Sequence, residues 1–165
     1  MAGEFVFNIV KGKVRYYTEL PAANDALIVV LLKSTGLEAD GTLKDYDDLA
    51  ALLAGTSDEA DFTNYARIVV NSGIIATVDD TGDVVNIDAS DLLWSNAGNS
   101  GTAAGSGAGN NILGKLLWCY DPDTTTGTDS SVVPLLAQGF SASTDGNDLE
   151  GRLATLGFFQ AKDGP

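Results

Sequence analysis

The 165-residue sequence contains no histidine and a single cysteine, Cys119. Without histidine the chain cannot form a Ser-His-Asp or Cys-His catalytic pair, a histidine-ligated zinc site or an imidazole acid–base group. A lone cysteine excludes a disulfide within the chain. Its apolar neighbours in the run Leu116–Tyr120 predict a buried, unreactive thiol. These absences remove several common kinds of enzyme site.

Basic side chains are also scarce. Lysine and arginine total 9 against 23 aspartates and glutamates, which gives a formal net charge of −14 and a pI near 4.1. Nucleic acid and anionic membranes both attract basic surfaces, so we expect neither as a partner. The longest apolar run, Ala26–Leu32, is far shorter than the ~20 residues that span a bilayer. The first residues lack the pattern of a secretory signal, and we expect synthesis in a cytoplasm without signal-directed export.

Aspartate is the more common acidic residue, with 18 aspartates and 5 glutamates. The chain also contains 19 glycines. Aspartate and glycine favour turns over the interiors of helices and strands. Many tight turns between short elements indicate a mainly β protein. The length predicts a single β-rich domain over residues 1–165.

Hydrophobic patterns predict the strands. Ala26–Leu32 and Ile112–Tyr120 are apolar on both faces, which is typical of buried strands. Phe5–Tyr17 alternates apolar and polar side chains and predicts a strand pair or one long bent strand, with the bend at Gly12. Shorter runs of the same kind lie at 62–70, 74–78, 84–87, 132–136, 149–155 and 158–161. We therefore predict an antiparallel β-sandwich or a jelly-roll-like barrel.

One short helix is predicted over about residues 43–54. Leu43, Tyr46, Leu49 and Leu53 recur at helical spacing after a capping-box-like Thr42–Asp45, and Gly55 is a natural stop.

Turn residues predict a hairpin and a loop. Asp79–Asp83 joins two strand-like runs, with Gly82 expected at a positive φ, and Asp91–Trp94 is expected to extend the edge of that hairpin. The Gly/Ser/Ala-rich stretch 98–109 predicts a flexible surface loop. It lacks the Gly-Lys-Ser/Thr ending of a phosphate-binding loop.

The aspartates raise two chemical hypotheses. Paired carboxylates could serve a glycosidase only across a sugar-sized cleft, which a sequence does not reveal. Asp121, Asp123 and Asp129 resemble an oxygen-ligand loop for calcium. However, Thr126 and Val132 replace the glycine and the glutamate of an EF-hand, and turn formation by aspartate explains the segment without a metal.

Three basic side chains cluster near the amino terminus. Lys11, Lys13 and Arg15 hold a third of the positive charge and would alternate along one strand face. Solvated charge that deters unwanted strand pairing is the simpler interpretation. The alternative is a docking edge for an acidic partner or for the acidic surface of a neighbouring copy.

Several segments resemble a largely uncharacterised family of small structural virion proteins from tailed phages and prophages of actinobacteria. The similar segments cover most of the chain: Leu20–Leu37, Leu43–Leu49, Asn64–Arg67, Val78–Asp91, Gly114–Asp123, Asp145–Leu149 and Gly157–Phe159. None of them is the signature of a particular chemistry, so no residue role is carried over. The resemblance implies a place in the virion, in the head or in the tail.

The leading hypothesis is a non-enzymatic decoration or minor capsid protein on the exterior of a phage head. Its partners would be the major capsid protein or other virion proteins, and copies of itself in a homo-oligomer. It would need no cofactor. The alternative is a tail or receptor-binding module that recognises a host surface glycan, with calcium as a candidate ligand. An enzyme acting on cell-wall polysaccharide is a third class, and it would need carboxylates held in a cleft.

Overall fold

The computed structural model describes residues 4–99 and 109–162, and these residues form ten strands and three short helices. The strands are β1 Phe5–Val6, β2 Ala26–Lys33, β3 Ile68–Val70, β4 Ile75–Asp79, β5 Val84–Asp88, β6 Leu92–Trp94, β7 Ile112–Asp121, β8 Val133–Ser143, β9 Leu149–Gly151 and β10 Phe159–Lys162. The helices are α1 Val14–Thr18, α2 Asp40–Leu43 and α3 Leu49–Leu53.

The strands form three sheets with antiparallel pairing throughout. The largest has the order β1-β8-β7-β2-β3, a second has the order β10-β5-β4, and β6 pairs with β9. None of the sheets closes into a barrel within the described residues. The prediction of a mainly β, antiparallel, sandwich-like fold is confirmed.

The centre of the large sheet consists of β2, β7 and β8. Residues 26–32 are all buried, as are residues 115–120. Strands that are apolar on both faces are stable only when both faces are covered. The two buried strands predicted from the sequence are therefore confirmed, and Cys119 lies between its neighbours with its thiol buried as expected.

Two contacts from β7 identify what covers each face. The Lys115 side chain is fully buried, and its Nζ lies 2.8 Å from Oδ1 of Asp40 on α2 and 5.1 Å from the centre of the Phe5 ring. Trp118, three residues along the strand, faces the opposite side. Its ring stacks on Phe158 at 3.9 Å and 11°. The helical side and the β10 side thus enclose the sheet.

The small sheet joins the body at its base. Ile87 on β5 is fully buried, and its backbone O accepts a 2.9 Å hydrogen bond from the Phe158 N–H. Gly157 turns the chain there with a φ of 86°, and a Cβ on this residue would lie 2.1 Å from the Ile87 backbone oxygen. The predicted hairpin of β4 and β5 is confirmed. The prediction that 91–94 extends its edge is wrong, because β6 pairs with β9 instead.

The positive φ of the hairpin turn belongs to Asp83, at 50°, and not to Gly82 as predicted. Asp79 accounts for this difference. Its Oδ1 accepts 3.0 Å hydrogen bonds from the backbone N–H groups of Thr81 and Gly82 and sets the turn.

The segment that contains Lys11, Lys13 and Arg15 is not a long strand, and that prediction is wrong. After β1 the chain forms a 3-10 turn at Asn8–Val10 and then α1. Val10, Val14 and Thr18 are buried and recur every fourth residue, which is a helical spacing. The apparent alternation of period two arose from exposed neighbours of these positions.

The predicted helix over residues 43–54 occurs as α2 and α3 with a turn between them. Asp48 ends the turn and begins α3, because its Oδ1 accepts a 2.8 Å hydrogen bond from the Ala51 N–H as an N-cap. The expected cap at Thr42 is not formed, since α2 already begins at Asp40. Most of the predicted loop 98–109 lies outside the described residues.

The Lys115–Asp40 pair gives a stability prediction. Asp40→Asn removes the carboxylate beside a fully buried ammonium, and we expect the free energy of unfolding to fall by about 2 kcal/mol. Urea denaturation measures the change. Asp47→Asn is the matched control. It removes the same charge from an exposed residue in the turn between α2 and α3. If the two variants had equal free energies of unfolding, the Lys115–Asp40 ion pair would not contribute the expected stability.

Candidate interaction surface

The three predicted basic residues lie together on the exposed side of the amino-terminal segment. Lys11 and Lys13 are in the turn before α1, and Arg15 is in its first turn. Two apolar side chains accompany them, Ile9 at 45% exposure and Tyr16 at 56%. We call these five residues the basic patch.

The lysines of this patch differ from most other cations of the protein. Carboxylates pair with Arg15, Lys33, Arg67, Lys115 and Arg152. Lys11 and Lys13 form no salt bridge with any residue that the structure describes. In a chain with a formal charge of −14, these two lysines are a local concentration of positive charge at the surface.

The three candidate calcium ligands are engaged in separate hydrogen bonds. Asp123 folds onto its own turn, where its carboxylate accepts from the Thr125 N–H at 3.0 Å and from the hydroxyls of Thr125 and Thr126 at 2.6 and 2.5 Å. These bonds lower the pKa of Asp123 to about 2. Asp121 accepts from the Asp123 N–H at 3.0 Å. Asp121 and Asp123 thus act as turn-forming residues, which agrees with the interpretation of this segment that needs no metal.

Asp129 belongs to a different cluster, centred on Arg67. The guanidinium donates two hydrogen bonds to Asp129 at 2.5 and 3.0 Å and two to Glu59 at 2.8 and 2.6 Å. Tyr65 donates to the same Glu59 carboxylate at 2.8 Å and accepts from the Leu31 N–H. This cluster fastens the loop after β7 to the large sheet. Within residues 4–99 and 109–162 no group of three or more His, Cys, Asp or Glu side chains could hold a metal ion.

A cleft of about 350 Å³ lies between β8 and the segment that leads into β10. Phe140, Phe158 and Leu156 form much of its apolar wall, and Gln138 and Arg152 contribute polar groups. The Gln138 amide accepts from the Trp118 indole at 3.2 Å and donates to the Phe158 backbone O at 3.2 Å. The Gln138 amide is therefore held in place at the wall of the cleft.

The hairpin of β4 and β5 extends beyond the core, and we call residues 75–88 the projecting hairpin. All five residues of β4 are exposed, including Ile75 at 60% and Val78 at 52%. On one face Val78 lies opposite Val85 and Ala76 opposite Ile87. On β5, Ile87 is buried and Val85 is partly buried against the core, whereas Ala76 and Val78 on β4 are exposed. Towards the tip, apolar surface is left open.

The outer edge of β4 carries no partner strand within the described part of the chain. Natural sheets protect such edges by shortness, lysine, proline or a bulge. Here β1 and β3 are very short, and β10 ends in Lys162. By contrast, β4 has five residues in continuous register, without lysine, proline or a bulge. It is therefore less protected than the edges at β1, β3 and β10.

The tip of the projecting hairpin is acidic. Asp79, Asp80 and Asp83 lie within five residues of one another, and none of them forms a salt bridge with a described residue. The tip thus combines negative charge with the exposed Val78 beside it. The sequence pattern located this hairpin, but the exposure of both faces of β4 could not be read from it, because Ile-Ala-Thr-Val is also typical of a half-buried strand.

No protein-family model, curated protein or solved structure matches this chain. None of the helices in the described ranges has the length and apolar character needed to cross a bilayer.

The carboxylate geometry gives a prediction about calcium. We expect millimolar calcium chloride to leave the thermal unfolding midpoint unchanged. The carboxylate of Asp129 already accepts hydrogen bonds from Arg67, and that of Asp123 accepts them from Thr125 and Thr126. Differential scanning fluorimetry with calcium, with magnesium as the control, and after chelation tests this. A midpoint raised by calcium alone and restored by the chelator would support the calcium hypothesis.

The Arg67 cluster predicts a pH dependence. Hydrogen bonds from Arg67 hold the pKa of Asp129 below its usual 3.8. A lowered folded-state pKa contributes stability that is complete above the unfolded pKa and disappears as the pH falls through the folded one. Asp129→Asn should therefore cost roughly 1 kcal/mol at neutral pH, a modest value because Asp129 is over a third exposed, and this cost should shrink as the pH falls through the folded-state pKa of Asp129.

Urea unfolding of the wild type and of Asp129→Asn at several pH values measures this difference. Asp80→Asn serves as the control, because this carboxylate is exposed and outside any ion pair with described residues. A cost for Asp129→Asn that is independent of pH would contradict the assignment.

Proposed function

We propose that this chain is a non-enzymatic structural protein of a phage virion, a decoration or minor capsid protein on the outside of the head. It is made in the host cytoplasm and becomes part of the virion. There it reinforces the shell through contacts with the major capsid protein or other virion proteins and with further copies of itself. The resemblance of its segments to virion proteins motivates this setting.

The observation that carries the assembly role is the open edge of β4. An exposed five-residue strand with two large apolar side chains would invite indiscriminate association in a protein that acts alone. Pairing or packing against a defined neighbour removes that risk. Such an edge is therefore understandable in a chain whose working state is an assembly.

Multiplicity explains how a modest contact could be sufficient. Each copy on a shell is held by several neighbours, so one broken contact does not release it, and the effective concentration for re-forming that contact is high. Symmetry repeats the same contact over the whole particle. The acidic remainder of the surface would face solvent and keep particles apart by like-charge repulsion.

A tail or receptor-binding module is the alternative, and the cleft beside β8 is the observation that favours it. Its volume of about 350 Å³ is at the lower end of the range of about 300–1,000 Å³ found for ligand sites. Arg152 and the aromatic Phe140 on its wall are groups that could contact a glycan. In this version the cleft, rather than Asp121, Asp123 and Asp129, would hold the sugar.

Quantitative mass spectrometry of purified particles, with heads separated from tails, tests the proposal. We expect many copies per particle, in a fixed ratio to the major capsid protein, in the head fraction. A few copies that follow the tails would favour the receptor-binding alternative. Particles without this chain would refute both. A known non-structural protein of the same phage, measured in the same fractions, controls for contamination.

A further inference from the structure

Two exposed surfaces of this chain have complementary character. The basic patch combines Lys11 and Lys13 with the exposed Ile9 and Tyr16. The tip of the projecting hairpin combines its three aspartates with the exposed Val78. The two lysines and the three aspartates form no ion pair with a described residue, and each set lies next to uncovered apolar side chains. Lys162 on β10, opposite Val84, is a cation that lines the same hollow as the three aspartates.

We infer that copies of this protein associate head to tail, with the acidic tip of the projecting hairpin of one copy seated on the basic patch of the next. Lys11 and Lys13 would face Asp80 and Asp83 of the neighbour, and Val78 would cover Ile9 or Tyr16. The inference rests on the proposed assembly role and names the partner for it. That partner is a second copy of the chain.

Charge complementarity is the reason for choosing a second copy as the occupant. With 23 acidic and 9 basic residues, most of the surface repels another copy. The basic patch is the place where an acidic projection from a like molecule gains Coulomb energy and loses little. Because the repulsive remainder disfavours other orientations, the same charges would also select the geometry of the contact.

The contact is heterologous, since two different patches meet. Heterologous contacts close into rings when the rotation between copies divides a full turn, and otherwise they continue as open chains. On a shell, a ring would suit a symmetry axis. The competing geometry is a two-fold pair in which the β4 edges of two copies meet.

Charge exchange between two variants tests this geometry. The patch variant carries Lys11→Glu and Lys13→Glu. The tip variant carries Asp80→Lys, Thr81→Lys and Asp83→Asn, and asparagine is used at 83 because it tolerates the positive φ of that residue better than lysine. Its tip keeps one aspartate against two lysines. Asp47→Lys controls for a change of charge elsewhere on the surface.

Sedimentation velocity over a range of protein concentrations, at low and at high salt, is the measurement. We expect the wild type to associate, high salt to weaken the association, and each variant alone to raise the dissociation constant about tenfold or more. An equimolar mixture of the two variants should restore association, because each tip then meets a patch of opposite charge. Circular dichroism melting confirms that the variants are folded.

Two outcomes would overturn the inference. One is a wild type that stays monomeric up to its solubility limit. The other is self-association that neither variant weakens, or that mixing does not restore, as expected for pairing of β4 edges. The proposed function is tested separately. If the chain is abundant on heads but lacks this contact, only the inference is refuted. If the chain self-associates through this contact but is absent from virions, only the proposed function is refuted.

Discussion

Burial of the central strands on both faces is the constraint on which the rest of this structure depends. Because β2 and most of β7 present apolar side chains above and below the sheet, neither strand can lie at a water-exposed surface. The chain must therefore supply two covering layers. On one side, Asp40 of α2 and Phe5 of β1 meet Lys115. On the other, Phe158 from the segment that leads into β10 stacks on Trp118, and Tyr17 of α1 packs on Tyr120. Strands that are not needed for this cover remain at the periphery.

The polar groups within the body hold these covering layers in place. Arg67 is shared between Glu59 and Asp129, which are 70 residues apart in the chain, so one guanidinium fixes two loops against the same sheet. A planar donor with five N–H groups suits this task better than lysine does. In the hairpin at 75–88, β5 pairs along its length with β10, whereas every residue of β4 is exposed and its outer edge carries no partner strand among the described residues. A well-fastened body with one exposed projection is an arrangement suited to assembly.

The parts of the fold that follow from local pattern were predictable, and the parts that depend on distant contacts were not. The apolar runs at 26–32 and 112–120 can only be buried, and the Asp-Thr-Gly-Asp turn can only reverse the chain. Phe5–Tyr17 misled because its polar residues Lys11, Lys13 and Arg15 alternate in sequence with other residues. The fourfold spacing of the buried Val10, Val14 and Thr18 was the better signal. The run of aspartates at 45–48 similarly marked a break in the expected helix, with Asp48 as its new cap. No local pattern could pair Arg67 with Asp129, and so the role of that carboxylate was missed.

The position of Cys119 has a practical consequence. Its thiol lies in the fully buried stretch 115–120 of β7, and burial raises its pKa, so burial restricts both access to the sulfur and formation of the reactive thiolate. A thiol reagent can reach this sulfur only when β7 leaves the sheet, an opening close to complete unfolding. The protein therefore contains one intrinsic chemical probe of its own global stability. Labelling rates at this atom, measured on free chains and on assembled particles, would report how far assembly slows that opening, without any engineered dye or substitution.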